Sequence, residues 1–361
     1  MDVYIFVVIF TFIFCSQIKV QNGDRKAYLE KIIWCFLPIF IYGALRENFG
    51  IDYPEYKYNY ELLHGNAQFI DEDDHAEIGF QWLNVMIPSW RLLVMLVSTM
   101  VISGFALLYY KYVEPRMLML ALFFTMFDPG RCFFLSFVAM RNGLVIAGFL
   151  LCTPLIVKRR YHILLPIVFL LSLLHTSALI FIPLAILAGQ NFSITKKEIW
   201  LWLGASVVFS LMSVTSIINL ALPLMSGELF ESYRIHYMNA DNHSSLLVCT
   251  ANAISMFVIL KWAYKQRCIL TPAQNVIWRL AMLFLISPFL GVLGRTRMVY
   301  FYIPFYIITL TYLIQDGWTS KSFKNNFLFL VSAVMLYYTV FVWMGSKYFV
   351  FWHYQSIFSD L

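Results

Sequence analysis

The sequence contains little charge and lacks the short motifs of nucleotide-dependent and metal-dependent enzymes. Only 13% of its 361 residues are charged, whereas soluble domains contain about 25%. It has no phosphate-binding loop, dinucleotide-binding fingerprint, His-Glu-x-x-His or Gly-x-Ser-x-Gly motif, so nothing supports coupling to ATP. The six cysteines are scattered without a Cys-x-x-Cys pair, which argues against a disulfide framework or a zinc site. We therefore expect neither a metal nor a cofactor.

Hydrophobic residues are abundant and make up 61% of the chain. They form many separate runs of the length that crosses a bilayer, roughly 17–25 residues. The N-terminus has no basic stretch followed by a small-residue cleavage site, so the first run is predicted to be a retained helix. These runs predict an all-α polytopic membrane protein with about 11–12 transmembrane helices, in one integral membrane domain over residues 1–361.

Lysine and arginine between the runs predict which loops face the cytoplasm, where such residues are enriched. Lys158-Arg159-Arg160 is the clearest cytoplasmic marker. The net charge of +6 follows from this sorting and does not indicate a nucleic-acid partner. The loops at 46–90 and 219–245 are predicted to face the outside. The parity of the crossings requires residues 162–188 to turn round near His175, which predicts two short re-entrant half-helices there.

Several arginines lie on or near the predicted outer face, against the positive-inside rule. Arg295 and Arg297 follow an apolar run and precede aromatic residues, and Arg141 interrupts an apolar stretch. A guanidinium group binds phosphate oxygens bidentately and stays charged, so these arginines are predicted to bind a diphosphate. Instead of binding a diphosphate, Arg295 and Arg297 can extend their charged groups to the membrane interface beside the aromatic residues. Arg141 can instead mark the end of a short interfacial helix. Arg234 is a candidate for a gate over the site.

The stretch from Arg46 to Tyr60 is polar, aromatic and turn-forming directly after an apolar run. Gly50 and Pro54 are predicted to force the chain out of helical geometry there. Arg46, Tyr53 and Tyr56 are predicted to form one wall of a site for an anionic, sugar-bearing lipid, because tyrosine presents an amphipathic ring to a sugar face.

Three residues are candidates for the base that takes a proton from an acceptor: Asp52, Glu77 and His175. Glu77 opens a segment that resembles the start of an interfacial helix. A carboxylate near arginines can instead be a salt-bridge partner, and a membrane histidine can be a packing residue, so the choice stays open. The acidic run Asp71–Asp74 contains Asp-x-Asp, which some sugar transferases use to hold a metal–nucleotide, but a solvated loop is the preferred interpretation.

In order and spacing, these residues resemble the EpsG-type family of polysaccharide polymerases, which is related in role to the Wzy O-antigen polymerases. The segments that carry the resemblance are Leu45-Arg46, Gly50-Ile-Asp52-Tyr53-x-x-Tyr56, Glu77-Ile-Gly79-Phe80, Arg141-Asn142-Gly143-Leu144, His175-Thr-Ser-Ala178 and Arg295–Tyr300. The family more often has Arg-Gln-x-Leu-Ala at the fourth of these segments.

The resemblance implies a GT-C-like membrane glycosyltransferase of the bacterial inner membrane. Such an enzyme joins repeat units carried on undecaprenyl diphosphate at the periplasmic face, for O-antigen, capsule or exopolysaccharide. The implied substrates are lipid-linked donor and acceptor glycans, and the implied partners are a chain-length regulator (co-polymerase) and a flippase of the same pathway. A lipid-linked oligosaccharide flippase and a membrane O-acyltransferase remain alternatives. A flippase is expected to show repeat symmetry between its two halves, and the sequence shows none. An acyltransferase is expected to receive its acyl donor from the cytoplasmic side, where the sequence offers only the lysines that set the topology. The polymerase is therefore favoured over both.

Overall fold

The computed structural model describes residues 2–21, 23–48, 50, 52–65, 77–127, 132–211, 246–287, 289, 301–317 and 355–356. The predicted site residues Arg234, Arg295 and Arg297 lie outside these ranges. The predicted outer loop 219–245 and the acidic run 71–74 lie outside them as well.

The chain divides into two compact units. The first comprises Met1–Pro183 and Ile314–Leu361, and the second Leu184–Leu313. The helices of the first unit are α1 (Asp2–Gln17), α2 (Arg25–Ala44), α3 (Tyr53–Gly65), α4 (Ile78–Met86), α5 (Trp90–Tyr112), α6 (Leu118–Met126), α7 (Cys132–Val138), α8 (Met140–Val157) and α9 (Tyr161–Leu174). The chain passes to the second unit along α10 (Ala178–Ala188), and α11 (Lys196–Leu211), α12 (Leu246–Lys265), α13 (Pro272–Ile286) and α14 (Ile303–Tyr312) follow.

Three of the described helices, α2, α5 and α8, are long and apolar enough to cross a membrane. Shorter apolar helical stretches accompany them at Phe6–Gln17, Pro115–Met126, Tyr161–Leu174, Pro272–Ile286 and Ile303–Gln315. The chain is therefore an all-α membrane protein, as its composition predicts. The total of about 11–12 spans and the GT-C-like arrangement stay predictions.

The core of the first unit lies around α5, which packs on α2, α7 and α8. A Cβ atom added to Gly104 of α5 would lie 3.1 Å from the backbone of Ala147 in α8, so these two helices approach closely at small residues. The start of α5 is fixed by Ser89, whose side chain accepts a hydrogen bond from the backbone N–H of Leu92.

Two short strands pair within the first unit. In antiparallel register, β1 (Arg46–Glu47) lies beside β2 (Gln355–Ser356), with Arg46 opposite Ser356 and Glu47 opposite Gln355. The segment that follows α2 is therefore held by backbone hydrogen bonds to residues more than 300 positions later in the chain.

The segment predicted as an outer loop, residues 46–90, contains β1, α3 and α4. Gly50 adopts a φ of +104°, which glycine allows, and so leaves helical geometry as predicted. The prediction for Pro54 was wrong, because this residue lies in the first turn of α3, where a proline costs no hydrogen bond. The outside location of the segment stays a prediction.

The helix interruption predicted near His175 is present. Helix α9 ends at Leu174, His175 is extended with φ −162° and ψ 123°, and α10 begins at Ala178. The re-entrant arrangement of the two helices stays a prediction.

Candidate active site

Glu77 and His175, two of the three candidate bases, are in direct contact. The Nδ1 atom of His175 lies 2.5 Å from Oε1 of Glu77. The same oxygen accepts hydrogen bonds from the backbone N–H of Thr176 at 3.0 Å and from its Oγ1 at 3.4 Å. The Glu77 carboxylate therefore lies against the non-helical residues between α9 and α10.

The second oxygen of Glu77 faces Arg141, at the start of α8. Nη1 of Arg141 donates to Oε2 of Glu77 at 3.0 Å. Nε of Arg141 donates to the hydroxyl of Tyr56 at 3.4 Å, and the guanidinium carbon lies 5.5 Å from the centre of the Tyr56 ring. We name Tyr56, Glu77, Arg141, His175 and Thr176 the Glu77 cluster. The side chains of Arg141, Glu77 and His175 are 19%, 14% and 20% exposed, so the cluster is largely buried yet open to solvent.

A glycine brings the two halves of this cluster together. A Cβ atom on Gly79 would lie 2.6 Å from the carbonyl oxygen of Leu173, closer than real Cβ atoms come to any atom. Gly79 lies two residues after Glu77, and Leu173 lies two residues before His175. The close approach of these two backbones therefore positions the carboxylate against the imidazole.

A second glycine supports Arg141 in the same way. A Cβ atom on Gly143 of α8 would overlap the carbonyl oxygen of Ser136 in α7. Only a glycine lets α7 pack this closely on the first turn of α8, which carries Arg141. Residues without functional groups thus position the charged residues of the Glu77 cluster.

The environment of Glu77 stabilises its ionised form. Burial raises the pKa of the carboxyl, but the hydrogen bond and charge of His175, the charge of Arg141 and the N–H of Thr176 lower it, and the net result is a pKa of about 2. Glu77 is therefore a carboxylate at neutral pH. Such a low pKa makes it a weak proton acceptor and a good partner for a neighbouring imidazole.

Comparison with known proteins identifies the family. The sequence model of the EpsG family matches residues 31–356, nearly the whole chain. The chain belongs to the EpsG family. The resemblance carried by the short motifs is thereby confirmed, and the matched range contains the Glu77 cluster. No curated protein and no solved structure matches the chain.

Members of the EpsG family are Wzy-like, polysaccharide polymerase-type membrane proteins. In this EpsG chain, Arg46 lies in the interior rather than at a surface. It is 0% exposed and donates to the carbonyl oxygen of Gly43, to Oγ of Ser98 at 2.7 Å and to the carbonyl oxygen of Phe137 at 3.1 Å. Its guanidinium group thus links α2, α5 and α7. Its predicted role in substrate binding stays a prediction.

The other residues of the predicted aromatic wall belong to α3. Tyr53 is 1% exposed, and its hydroxyl accepts a hydrogen bond from Nε1 of Trp90 at 2.6 Å. Tyr56 is also buried and reaches Arg141, so of the two tyrosines it is the one within the Glu77 cluster. Asp52 is half-buried directly before α3, where its carbonyl oxygen accepts from the backbone N–H of Tyr56.

A second ionic group near β1 was not predicted. Glu47 pairs with Nζ of Lys57 at 3.0 Å and with Arg91, which also donates to the carbonyl oxygen of Arg46 at 2.8 Å. Burial raises the pKa of Glu47, but the hydrogen bonds and charges of Lys57 and Arg91 together lower it by more, so the net shift of the pKa is downward. No spacing in the sequence connects these residues, because they belong to three different elements.

The second unit contains a buried ion pair that sequence reasoning also missed. Arg279 of α13 is 1% exposed, and its Nη2 donates to Oε2 of Glu198 at 2.7 Å. It also donates to the carbonyl oxygens of Gln190 and Phe192. The sequence signal for this ion pair was an arginine inside an apolar run, since a charge at such a position must be paired.

Among the residues that the structure describes, no three His, Cys, Asp or Glu side chains form a group that could hold a metal.

Proposed function

We propose that this EpsG protein polymerises glycan repeat units carried on a lipid diphosphate, with the lipid diphosphate as the leaving group. The contact of Glu77 with both His175 and Arg141 carries the proposal. Glycosyl transfer needs a base for the acceptor hydroxyl and positive charge where the diphosphate departs. The Glu77 cluster offers both types of group side by side in a partly exposed position.

His175 is the proton acceptor in this proposal. Its Nδ1 faces Glu77, so Nε2 is the edge that would meet the acceptor sugar. A carboxylate on Nδ1 holds the imidazole in the tautomer with the lone pair on Nε2 and stabilises the imidazolium that forms. As the acceptor oxygen bonds to the anomeric carbon, its proton moves to Nε2. The bond from that carbon to the diphosphate breaks, and the diphosphate leaves with the electron pair.

The cations have a separate role. Arg141 lies beside the base and, with Arg295 and Arg297, is proposed to bind the donor diphosphate and stabilise the charge that develops on it. Arg234 is proposed to belong to a gate over the site. Arg46, Tyr53 and Tyr56 are proposed to form the wall of the glycan site, with Tyr56 also holding Arg141 in place. Asp52 is the alternative base if His175 proves dispensable.

The carrier is proposed to be undecaprenyl diphosphate, at the periplasmic face of the bacterial inner membrane. The distribution of lysine and arginine supports this orientation, because the strongest basic loops fall on the other side. The product would be an O-antigen, capsular or exopolysaccharide. A chain-length regulator and the flippase of the same pathway are the proposed partners.

The test is the polysaccharide profile of a strain that lacks this protein and is re-supplied with variants. His175→Ala is expected to reduce the polymer ladder to a single repeat unit while the protein still accumulates in the membrane. His162→Ala is the matched control, because His162 is an exposed histidine at the start of α9, and it should leave the ladder intact.

Other outcomes would support the alternative functions. Repeat units trapped on the cytoplasmic leaflet would indicate a flippase. A ladder of full length that has lost an acyl group would indicate an acyltransferase. A full, unmodified ladder with His175→Ala would exclude His175 as the base.

A further inference from the structure

Apolar side chains cover the outer face of α4, whereas Phe80 and the polar residue Asn84 face inwards. Its exposed face consists of four apolar residues that are 52–78% exposed: Ile78, Trp82, Val85 and Met86. Their spacing of four, three and one places them on one side of a helix. Asn84, in contrast, is 2% exposed and donates to the carbonyl oxygen of Phe80. We name these four exposed residues the α4 stripe.

The neighbouring helix α3 shows the opposite pattern. It packs on α4, and it exposes Glu55 and Glu61 together with Tyr58 and His64. Its buried residues are Tyr53, Tyr56, Tyr60 and Leu63. Two helices of one short segment therefore present different surfaces. The surface of α3 suits water, and the surface of α4 suits an apolar environment.

The apolar environment is identified by the elements next to α4. Helix α5, which is long enough to cross a membrane, begins at Trp90, four residues after α4 ends, and exposes Leu92 near its start. Helix α9, against which α4 packs at Gly79, exposes Phe169 and Leu170 at 62% and 61%. The α4 stripe thus belongs to a region of the protein surface where neighbouring helices also expose apolar side chains.

The length of α4 fixes how it can meet that lipid. Nine residues at about 1.5 Å each span about 14 Å, less than half of the roughly 30 Å hydrocarbon core. The helix contains no charged residue. A short helix with one strongly apolar face lies in the plane of the interface, with that face inserted about 5–10 Å into the boundary of the acyl chains.

We propose that α4 is an interfacial helix whose stripe inserts into the lipid of the surrounding bilayer beside the start of α5, and that this insertion sets the depth of the Glu77 cluster. Glu77 is the residue that immediately precedes α4, so the carboxylate and the stripe move together. The contact of α4 with lipid is independent of the proposed function. The conclusion that this contact holds the Glu77 cluster at the level of the diphosphate of a membrane lipid rests on the proposed function.

Spin labels test the lipid contact directly. In a variant whose six native cysteines are replaced, a nitroxide is attached at position 82 or 86 in phosphatidylethanolamine–phosphatidylglycerol vesicles. The matched control is position 58, because Tyr58 of α3 is also a largely exposed aromatic residue, at 64%. Labels at 82 and 86 are expected to collide more with oxygen than with a water-soluble nickel chelate, and the label at 58 the reverse. Nickel accessibility at 82 and 86 equal to that at 58 would overturn the proposal.

Two substitutions of Trp82 separate lipid contact from other uses of the ring. Trp82→Leu is expected to keep the polymer ladder, and Trp82→Glu to lose its long chains, because a charge is costly in the acyl boundary. Met86→Leu and Met86→Glu repeat the comparison at a second position. Loss of the ladder with Trp82→Leu but not with Trp82→Phe would show that the ring stacks on a ligand and would overturn the assignment to lipid.

The two proposals can fail separately. An intact ladder with His175→Ala, together with lipid-exposed labels at 82 and 86, would reject the proposed chemistry and retain the interfacial helix. Water-exposed labels, with a ladder that still depends on His175, would do the opposite.

Discussion

The imidazole of His175 and the carboxylate of Glu77 meet at 2.5 Å across a separation of 98 residues in the sequence. The same carboxylate also binds Arg141, at the start of α8, and Thr176, next to His175. One side chain thus connects three parts of the chain. A change at Glu77 is therefore expected to disturb the contacts between all three parts and the stability of the fold.

The pKa of Glu77 makes stability depend on acid pH. A carboxyl whose folded pKa is lowered stabilises the fold above its ordinary pKa of 4.5, and this contribution is lost as the pH falls through that value toward about 2. The unfolding temperature in detergent should therefore fall for the wild type as the pH is lowered from 4.5 toward about 2, and less steeply for Glu77→Gln.

Glu55→Gln is the control for this measurement, because Glu55 is an exposed glutamate of α3. Its unfolding temperature should follow that of the wild type throughout. Parallel curves for the wild type and Glu77→Gln would contradict the prediction and show that Glu77 is not held ionised by its neighbours.

Gly79→Ala should separate α4 from α9. The added Cβ meets the backbone of Leu173, which cannot move like a flexible side chain, so Glu77 is displaced from His175. We expect most polymer to be lost while the protein still accumulates in the membrane. Gly204→Ala is the matched control, because a Cβ at Gly204 of α11 meets nothing within 4 Å. It should leave polymer yield unchanged, and a similar loss in both variants would refute the argument.

Arg46→Met should lower the amount of folded protein. The substitution leaves the carbonyl oxygens of Gly43 and Phe137 without their donor in the interior, and hydrogen bonds to a charged group are worth about 1.5–3 kcal/mol each. The measurement is the amount of monodisperse protein extracted from membranes, with Arg116→Met as the exposed control. Normal accumulation of Arg46→Met without polymer would instead support direct binding of substrate by Arg46.

The pairing of β1 with β2 predicts that residues 46–47 and 355–356 lie on the same side of the membrane. Alkaline phosphatase placed after Leu361 should therefore report the same side as a copy inserted between Gly65 and Glu77. A fusion at Arg159, between α8 and α9, should report the other side. From the distribution of basic residues, we expect activity at the first two positions. Opposite results at those two positions would mean that the strands do not pair in the membrane.

Much of the helical framework follows from hydrophobic runs. The interruption near His175 was predicted from the parity of crossings, and α9 ends at Leu174 and α10 begins at Ala178, on either side of it. Helix α3 was missed, because Pro54, Asn59 and the tyrosines favour turns and strands. The signal was present in the spacing of three, four and three from Tyr53 to Leu63, which places Tyr53, Tyr56, Tyr60 and Leu63 on one helical face.

The contacts within the site could not be predicted in the same way. Glu77, Arg141 and His175 each stood out as a polar residue near an apolar run, but no periodicity shows which ends of helices meet. The approach depends on Gly79 and Gly143, whose importance becomes visible only when the opposite backbones of Leu173 and Ser136 are in place. For Arg46, the sequence indicated a cation at a helix boundary but not its burial, which depends on partners from α5 and α7.

The two-stranded pairing also constrains the order of biosynthesis. Residues 46–47 leave the ribosome early, but their partners at 355–356 are translated only about 300 residues later. Until then the backbone groups of β1 must remain hydrated or be held by other contacts. A ribosome that stalls or terminates before codon 355 would therefore leave β1 without its partner strand, next to the segment that carries Glu77.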